Sequence, residues 1–239
     1  MSGRDGGPMT GHEPEAEAGR PAVERALAAF RVGEPVLIHD FDDREGETDL
    51  VYPAGAVTPD AVSRMRNDGG GLICVALGDD VADALGLPFL ADALDHPAAA
   101  TGDLGYDRRS SFSLTVNHRE TFTGITDRDR ALTITALADV ADAVTGGVDY
   151  DAEDFAAEFR TPGHVHLLRG APDLLDDRRG HTELGLALAE AVDRPPAVVV
   201  CEMLDDETGG ALSPTTARAY AERHGFAFVE GQDLLRQFE

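Results

Sequence analysis

The sequence has no tryptophan, no lysine, two cysteines and four tyrosines in 239 residues. Each shortage excludes something. With aromatics at 6%, a core has to be built from leucine, valine, isoleucine and alanine. Cys74 in GLICVAL and Cys201 in VVVCEM sit in apolar, β-branched runs, which read as buried strand thiols and not as a disulfide framework. No apolar run approaches the ~20 residues that span a bilayer. The opening MSGRDGGPMTGHEPEAEAGR lacks the apolar centre of an export signal, which predicts a cytoplasmic protein. No G-x-G-x-x-G joins a strand to a helix and no P-loop occurs, so the common nucleotide fingerprints are missing.

What is abundant is acid. There are 45 acidic residues against 20 basic ones, all arginine, and the net charge is −25. Phosphates would be repelled over most of such a surface, which argues against nucleic acid and anionic membranes as partners. Because the acids are spread along the whole chain, they read as adaptation to a salt-rich cytoplasm, in preference to an acidic docking surface.

Residues 1–20, rich in Gly, Glu and Pro, read as a disordered tail, and 21–239 as one domain. Helical patterns start at Pro21, at Thr58-Pro59, over 128–144, over AEDFAAEF, after Gly180 and at Ser213-Pro214. Strands are predicted at 35–39, 48–54, GGGLICVAL, 110–118, PGHVHLL, PAVVVCEML and FAFVE, with 87–107 as a long excursion. Strands and helices alternate irregularly, and some strand pairs need no helical crossover. The expectation is an α+β domain: a mixed, twisted sheet covered by helices, in three layers.

Five segments can carry chemistry. In DDREGETD (42–49), five carboxylates surround Arg44, and strand spacing would put Glu45, Glu47 and Asp49 on one face. A divalent cation such as Mg²⁺ or Mn²⁺ relieves that crowding, and Arg44 can hold an oxyanion; a solvated acidic turn is the competing reading. RRGHTE (178–183) opens a helix, where free N–H groups suit a phosphate and His181 is a candidate ligand or proton carrier. Alternatively, Thr182 merely caps the helix. His164 in TPGHV is a candidate acid or base, against a structural histidine. Glu202 ends the run VVVC, where an acid costs free energy unless it is paired or exits to solvent. TFTGITD (121–127) reads as an anion-binding turn or as an ordinary capped turn.

Taken in order, DDREGETDLV, GGGLICVAL, SSFSLTVNHRETFTGITDRDR, TPGHVHLLR, RRGHTE and CEM resemble the motifs of the 3,4-dihydroxy-2-butanone 4-phosphate synthases, over nearly the whole chain from about residue 20. The resemblance implies a lyase that converts ribulose 5-phosphate to a four-carbon ketose phosphate and formate in riboflavin biosynthesis. It implies two divalent ions, Mg²⁺ or Mn²⁺, held by Glu45 and His181, and a homodimer. It places Arg44, Glu45, Asp49, Arg178, Arg179, Gly180, His181, Thr182 and Glu202 on the substrate. Glu47, Asp49, His164 and Glu202 are placed in catalysis, with Cys74 lining the same pocket. Departures from the bacterial motifs, such as Gly46 and Thr48 in the acidic loop and Thr161 before Pro162, are similar to the archaeal, monofunctional branch. Rival expectations are another metal-dependent sugar-phosphate isomerase or aldolase, which would yield no formate, and a non-enzymatic nucleotide or sugar-phosphate binder.

Overall fold

A computed structural model of the chain describes residues 14–41, 44–99 and 109–238, with only the helical backbone over 14–20. The chain runs α1 (Pro14–Arg31), β1 (Val36–His39), β2 (Thr48–Pro53), α2 (Pro59–Asp68), β3 (Cys74–Leu77), α3 (Asp79–Ala84) and α4 (Leu90–Ala93). It continues through β4 (Phe112–His118), α5 (Asp127–Thr145), α6 (Ala152–Glu158), β5 (Phe159–Arg169) and α7 (His181–Glu190). β6 (Ala197–Glu202), α8 (Pro214–His224), β7 (Ala227–Glu230) and α9 (Gly231–Phe238) complete the described residues.

Local chemistry explains most of these boundaries. Thr58, Thr126 and Ser213 each accept an N–H from the first turn of the helix that follows, and Pro59 and Pro214 supply preset backbone at the first helical position. Gly225, at φ 72°, ends α8 in the left-handed conformation that glycine adopts without strain. α1 starts at Pro14 and not at Pro21, because helix-forming EAEA precedes a proline that the helix accommodates. Residues 1–13, where the rest of the expected disordered tail falls, lie outside the described residues.

The seven strands form one sheet in the order β4-β5-β3-β6-β2-β1-β7. β1 and β7, and β3 and β5, pair in parallel; the other neighbours are antiparallel. The sheet is therefore mixed, as expected. Side chains alternate across it. Leu37, Leu50, Val75, Leu77, Val199 and Cys201 face a core closed by α2, α3, α5 and α8. Val36, Ile38, Val51, Cys74, Ala76, Val198 and Val200 face a second core closed by α1, α7 and α9. Helices on both faces make the three layers, and this second face carries the site.

Candidate active site

The site forms where β2 begins and β6 ends. Antiparallel pairing sets Asp49 directly opposite Glu202, and Cys74 opposite Val200 on the next strand. Alternation then turns Asp49, Glu202 and Cys74 to the α7 face. The N-terminus of α7 arrives above them, bringing His181 and Thr182. A cavity of about 390 Å³ results, lined by Arg44, Glu45, Glu47, Asp49, Cys74, Arg178, His181, Thr182 and Glu202, and closed at one side by Arg109, Ser110, Ser111 and Phe112.

The acidic loop is held from below by Asp40, a residue that the sequence reading missed. Asp40 is 3% exposed. Its Oδ1 accepts the N–H of Glu47 at 3.0 Å, and its Oδ2 accepts from Arg44 Nη1 at 3.2 Å. Gly46, at φ 66°, lets the chain turn back, and Asp40 N donates to the carbonyl of Glu47 at 3.0 Å. This turn corrects one expectation. The strand starts only at Thr48, so Glu45 and Glu47 belong to the connection, and Asp49 alone of the three stands on a strand face.

Arg44 also pairs with Glu45 at 3.1 Å and lies against Gly180, where a Cβ would come within 2.9 Å of its guanidinium. Glycine at 180 thus lets the loop dock on the helix start.

His181 is almost fully buried, with its Nδ1 3.7 Å from Glu45 Oε2 and 3.5 Å from Asp49 Oδ1. Burial alone would disfavour the charged imidazolium, but Asp49, Glu45 and Asp40 outweigh it and raise His181 to about 9. Burial likewise pushes the Asp49 carboxyl up to about 8; Glu202, Glu47 and Glu45 add to that, and His181 offsets part of it. Glu45 goes the other way: burial opposes its charge, yet His181, Arg44 and Arg178 hold it below the usual carboxylate range. Glu47 is raised by burial and by the charges of Glu45 and Glu202. The Cys74 thiol is driven well above its ordinary range by burial, with Glu202 and Asp49 adding to the effect. Cys74 therefore lines the site as a neutral thiol and not as a thiolate nucleophile.

A cation fits this arrangement. Asp49 Oδ1 and His181 Nε2 are buried without a hydrogen-bond partner among the described residues. One ligand atom each from Asp40, Glu45 and His181 falls within 4.8 Å of the others. Carboxylate oxygens with one imidazole suit Mg²⁺ or Mn²⁺.

At the α7 terminus Gly180 is the capping residue, so Thr182 lies inside the first turn and is not the cap. The carboxylate of Glu183 reaches back instead: its Oε2 accepts from Gly180 N at 3.3 Å and its Oε1 from Ala171 N at 3.1 Å. Glu183 also pairs with Arg178 at 3.4 Å, and Arg178 donates to Ser111 Oγ. The signal for Glu183 was present, since G-H-T-E puts a glutamate three residues after the capping position, which is half of a capping box.

Three expected residues do not line the cavity of this chain: Gly180, buried behind the Arg44 guanidinium, Arg179 and His164. Arg179 is exposed beside the cavity, and His164 stands on β5 with Asn117. The TFTGITD segment is a capped turn: Asp129 accepts from Thr123 N, Thr123 Oγ1 and Gly124 N, so its donors are already used by the chain's own carboxylate.

The model of the family described as 3,4-dihydroxy-2-butanone 4-phosphate synthase matches residues 24–237, from α1 to α9. The chain belongs to the 3,4-dihydroxy-2-butanone 4-phosphate synthase family. A synthase of Archaeoglobus fulgidus is 52% identical over 224 residues, covering 90% of this chain and 93% of that protein. One from Methanosarcina acetivorans is 48% identical, covering 92% of each. Among solved structures, a 3,4-dihydroxy-2-butanone 4-phosphate synthase in complex with two magnesium ions superposes with a TM-score of 0.75 at 30% identity, covering 90% of this chain and 95% of the other. The synthase of Candida albicans gives a TM-score of 0.73 at 29% identity, covering 91% and 97%.

Proposed function

We propose that this chain converts D-ribulose 5-phosphate to L-3,4-dihydroxybutan-2-one 4-phosphate and formate, using two divalent cations. The observation that carries the reading is the pairing of Asp49 with Glu202 beneath His181. It concentrates carboxylates and one imidazole where two buried polar atoms lack hydrogen-bond partners among the described residues.

Glu45 and His181 hold the metal, with Asp40 completing the donor group. When bound there, divalent cations polarise the sugar carbonyl and stabilise negative charge developing beside it. Arg178, held by Glu183 and Ser111, and the first turn of α7 at Gly180–Thr182 receive the phosphate, where backbone N–H groups and the helix dipole favour an anion. Arg179 meets the same phosphate from the rim. Arg44 orients the acidic loop and lies on the substrate side of it.

The reaction needs removal of the C3 proton next to the C2 ketone, loss of the C1 hydroxyl, skeletal migration and release of C4 as formate. Glu47 and Asp49 are the groups placed to take and return protons. Both hold a proton more tightly than an ordinary carboxylate, Asp49 at about 8, which suits that work. Glu202 orients the sugar opposite Asp49, and Cys74 forms the uncharged wall.

His164 serves as a further proton carrier. It lies off the cavity of its own chain, while Phe122, 93% exposed, and Ile125, 50% exposed, flank the same corner of the sheet. A homodimer formed through that corner covers these side chains and gives His164 of one copy access to the cavity of the other. Among the described residues no helix is long and apolar enough to cross a membrane. The charge of −25, spread along the chain, supports an enzyme working at high salt, as in a salt-rich cytoplasm.

The test is formate release from ribulose 5-phosphate by protein in molar salt with Mg²⁺, with and without chelator. Chelator-sensitive formate matched by four-carbon phosphate is expected. Ribulose 5-phosphate consumed without formate would instead favour a metal-dependent isomerase or aldolase.

A further inference from the structure

Asn117, near the end of β4, is 3% exposed, and its carboxamide serves one residue on the neighbouring strand, His164. Its Oδ1 accepts the backbone N–H of His164 at 2.8 Å, which fixes the end of the amide that is oxygen. The same amide meets the ring. Nδ2 lies 3.1 Å, and Oδ1 3.2 Å, from His164 Nδ1. An imidazole nitrogen donates when it is protonated and accepts when it is not. A carboxamide offers one group of each kind, so Asn117 can hold Nδ1 in either state. A carboxylate could only accept, and an apolar side chain could do neither.

The surroundings fix this amide in place. Gly124, at φ 88°, lies directly over it, and a Cβ there would stand 2.1 Å from Asn117 Nδ2. The turn that presents Gly124 is pinned by Asp129, which accepts from Gly124 N at 2.9 Å. On the strand side, Gly163 crosses β4 so closely that a Cβ would meet the Val116 carbonyl carbon at 1.9 Å, and Gly163 N donates to Thr115 Oγ1 at 3.2 Å. Four ionisable groups on the adjoining elements are engaged elsewhere. Asp129 holds the turn, Arg160 reaches the Thr121 carbonyl at 3.4 Å, His118 Nδ1 accepts from Glu120 N at 3.2 Å, and Arg119 donates to the Ala156 carbonyl at 2.8 Å.

We propose that Asn117 is a positioning residue for His164: it sets the plane of the ring and satisfies Nδ1 in both protonation states, so that proton exchange with substrate runs through Nε2. The inference rests on His164 being a proton carrier in the proposed reaction.

Four variants and one spectrum test it. Asn117→Asp keeps the size of the side chain and the acceptor for the His164 N–H, but offers the ring only acceptors. In histidine-labelled protein the ¹⁵N pattern of His164 should then move to a retained Nδ1 proton. The turnover number should fall about tenfold or more, with KM within about twofold of wild type. Asn117→Ala should lose a similar factor with unchanged circular dichroism, and Asn117→Ala combined with His164→Gln should be no slower than His164→Gln alone. Wild-type turnover in both Asn117 variants beside an inactive His164→Gln would overturn the inference, as would losses that simply multiply in the double variant. Full activity in His164→Gln would remove the role of His164 itself and the inference with it.

Discussion

His181 joins the parts of the site, and its protonation makes the metal dependence measurable. In the metal-free chain the ring is raised to about 9 by Asp49, Glu45 and Asp40 working against burial, and Asp49 stands at about 8. A cation needs the neutral ring, so binding must displace a proton below about pH 9. Mg²⁺ affinity should climb with pH up to that region, and calorimetry in buffers of different ionisation enthalpy should report the released proton. The sign for stability is opposite. Both groups hold protons more tightly folded than unfolded, so the stability they confer is present at low pH. It is lost as pH rises from 3.8 to about 8 for Asp49 and from 6.5 to about 9 for His181. Thermal melts of chelated protein should therefore fall between neutrality and pH 9, and Mg²⁺ should offset the fall. At the same scale, Glu45→Gln should lower kcat/KM about 100-fold or more and weaken Mg²⁺ binding, while the fold survives. Full activity with unchanged metal affinity would remove Glu45 from the donor group.

At the scale of elements, two glycines separate activity from folding. A Cβ at Gly180 would meet only the far end of Arg44, so Gly180→Ala should fold normally and lose activity by displacing the loop from the α7 terminus. At Gly163 the obstacle is β4 backbone. Gly163→Ala should destabilise by about 3 kcal/mol or more, read by denaturant titration. The positions of both elements were largely legible beforehand. β-Branched runs marked β1, β2, β3 and β6, and Thr58, Ser213 and their following prolines marked two helix starts. The short helix α3 was not, since DDVADA carries too few periodic positions to stand out before a sheet exists for it to pack on, and α9 went unread although Leu234, Leu235 and Phe238 fall on one helical face. The central feature of the site was also invisible from spacing alone. Asp49 meets Glu202 through strand register across 153 residues of chain, and Asp40 gains its role only when Gly46 turns the loop back over it.

At the scale of the whole molecule, 45 acids and 20 arginines on 239 residues make self-repulsion a standing cost in dilute buffer. Raising salt from about 0.1 M to about 1 M shortens the screening length from ~10 Å to ~3 Å. The melting temperature should rise accordingly, and a melting temperature indifferent to salt would count against a salt-adapted surface. The same charge bears on catalysis, because a doubly charged sugar phosphate has to enter a strongly anionic protein. Arg44, Arg178 and the α7 terminus receive the phosphate inside the cavity, but the anionic surface it must cross to reach them repels it. KM for substrate should therefore drop as salt rises from low concentration.

The most direct test of the account follows one carbon. Ribulose 5-phosphate labelled with ¹³C at C4 is incubated with the protein and Mg²⁺ in high salt, and the products are read by NMR. The label is expected to leave as formate, and the four-carbon phosphate to carry none. Label retained in a five-carbon sugar phosphate, or divided between aldol fragments without formate, would contradict the proposed reaction.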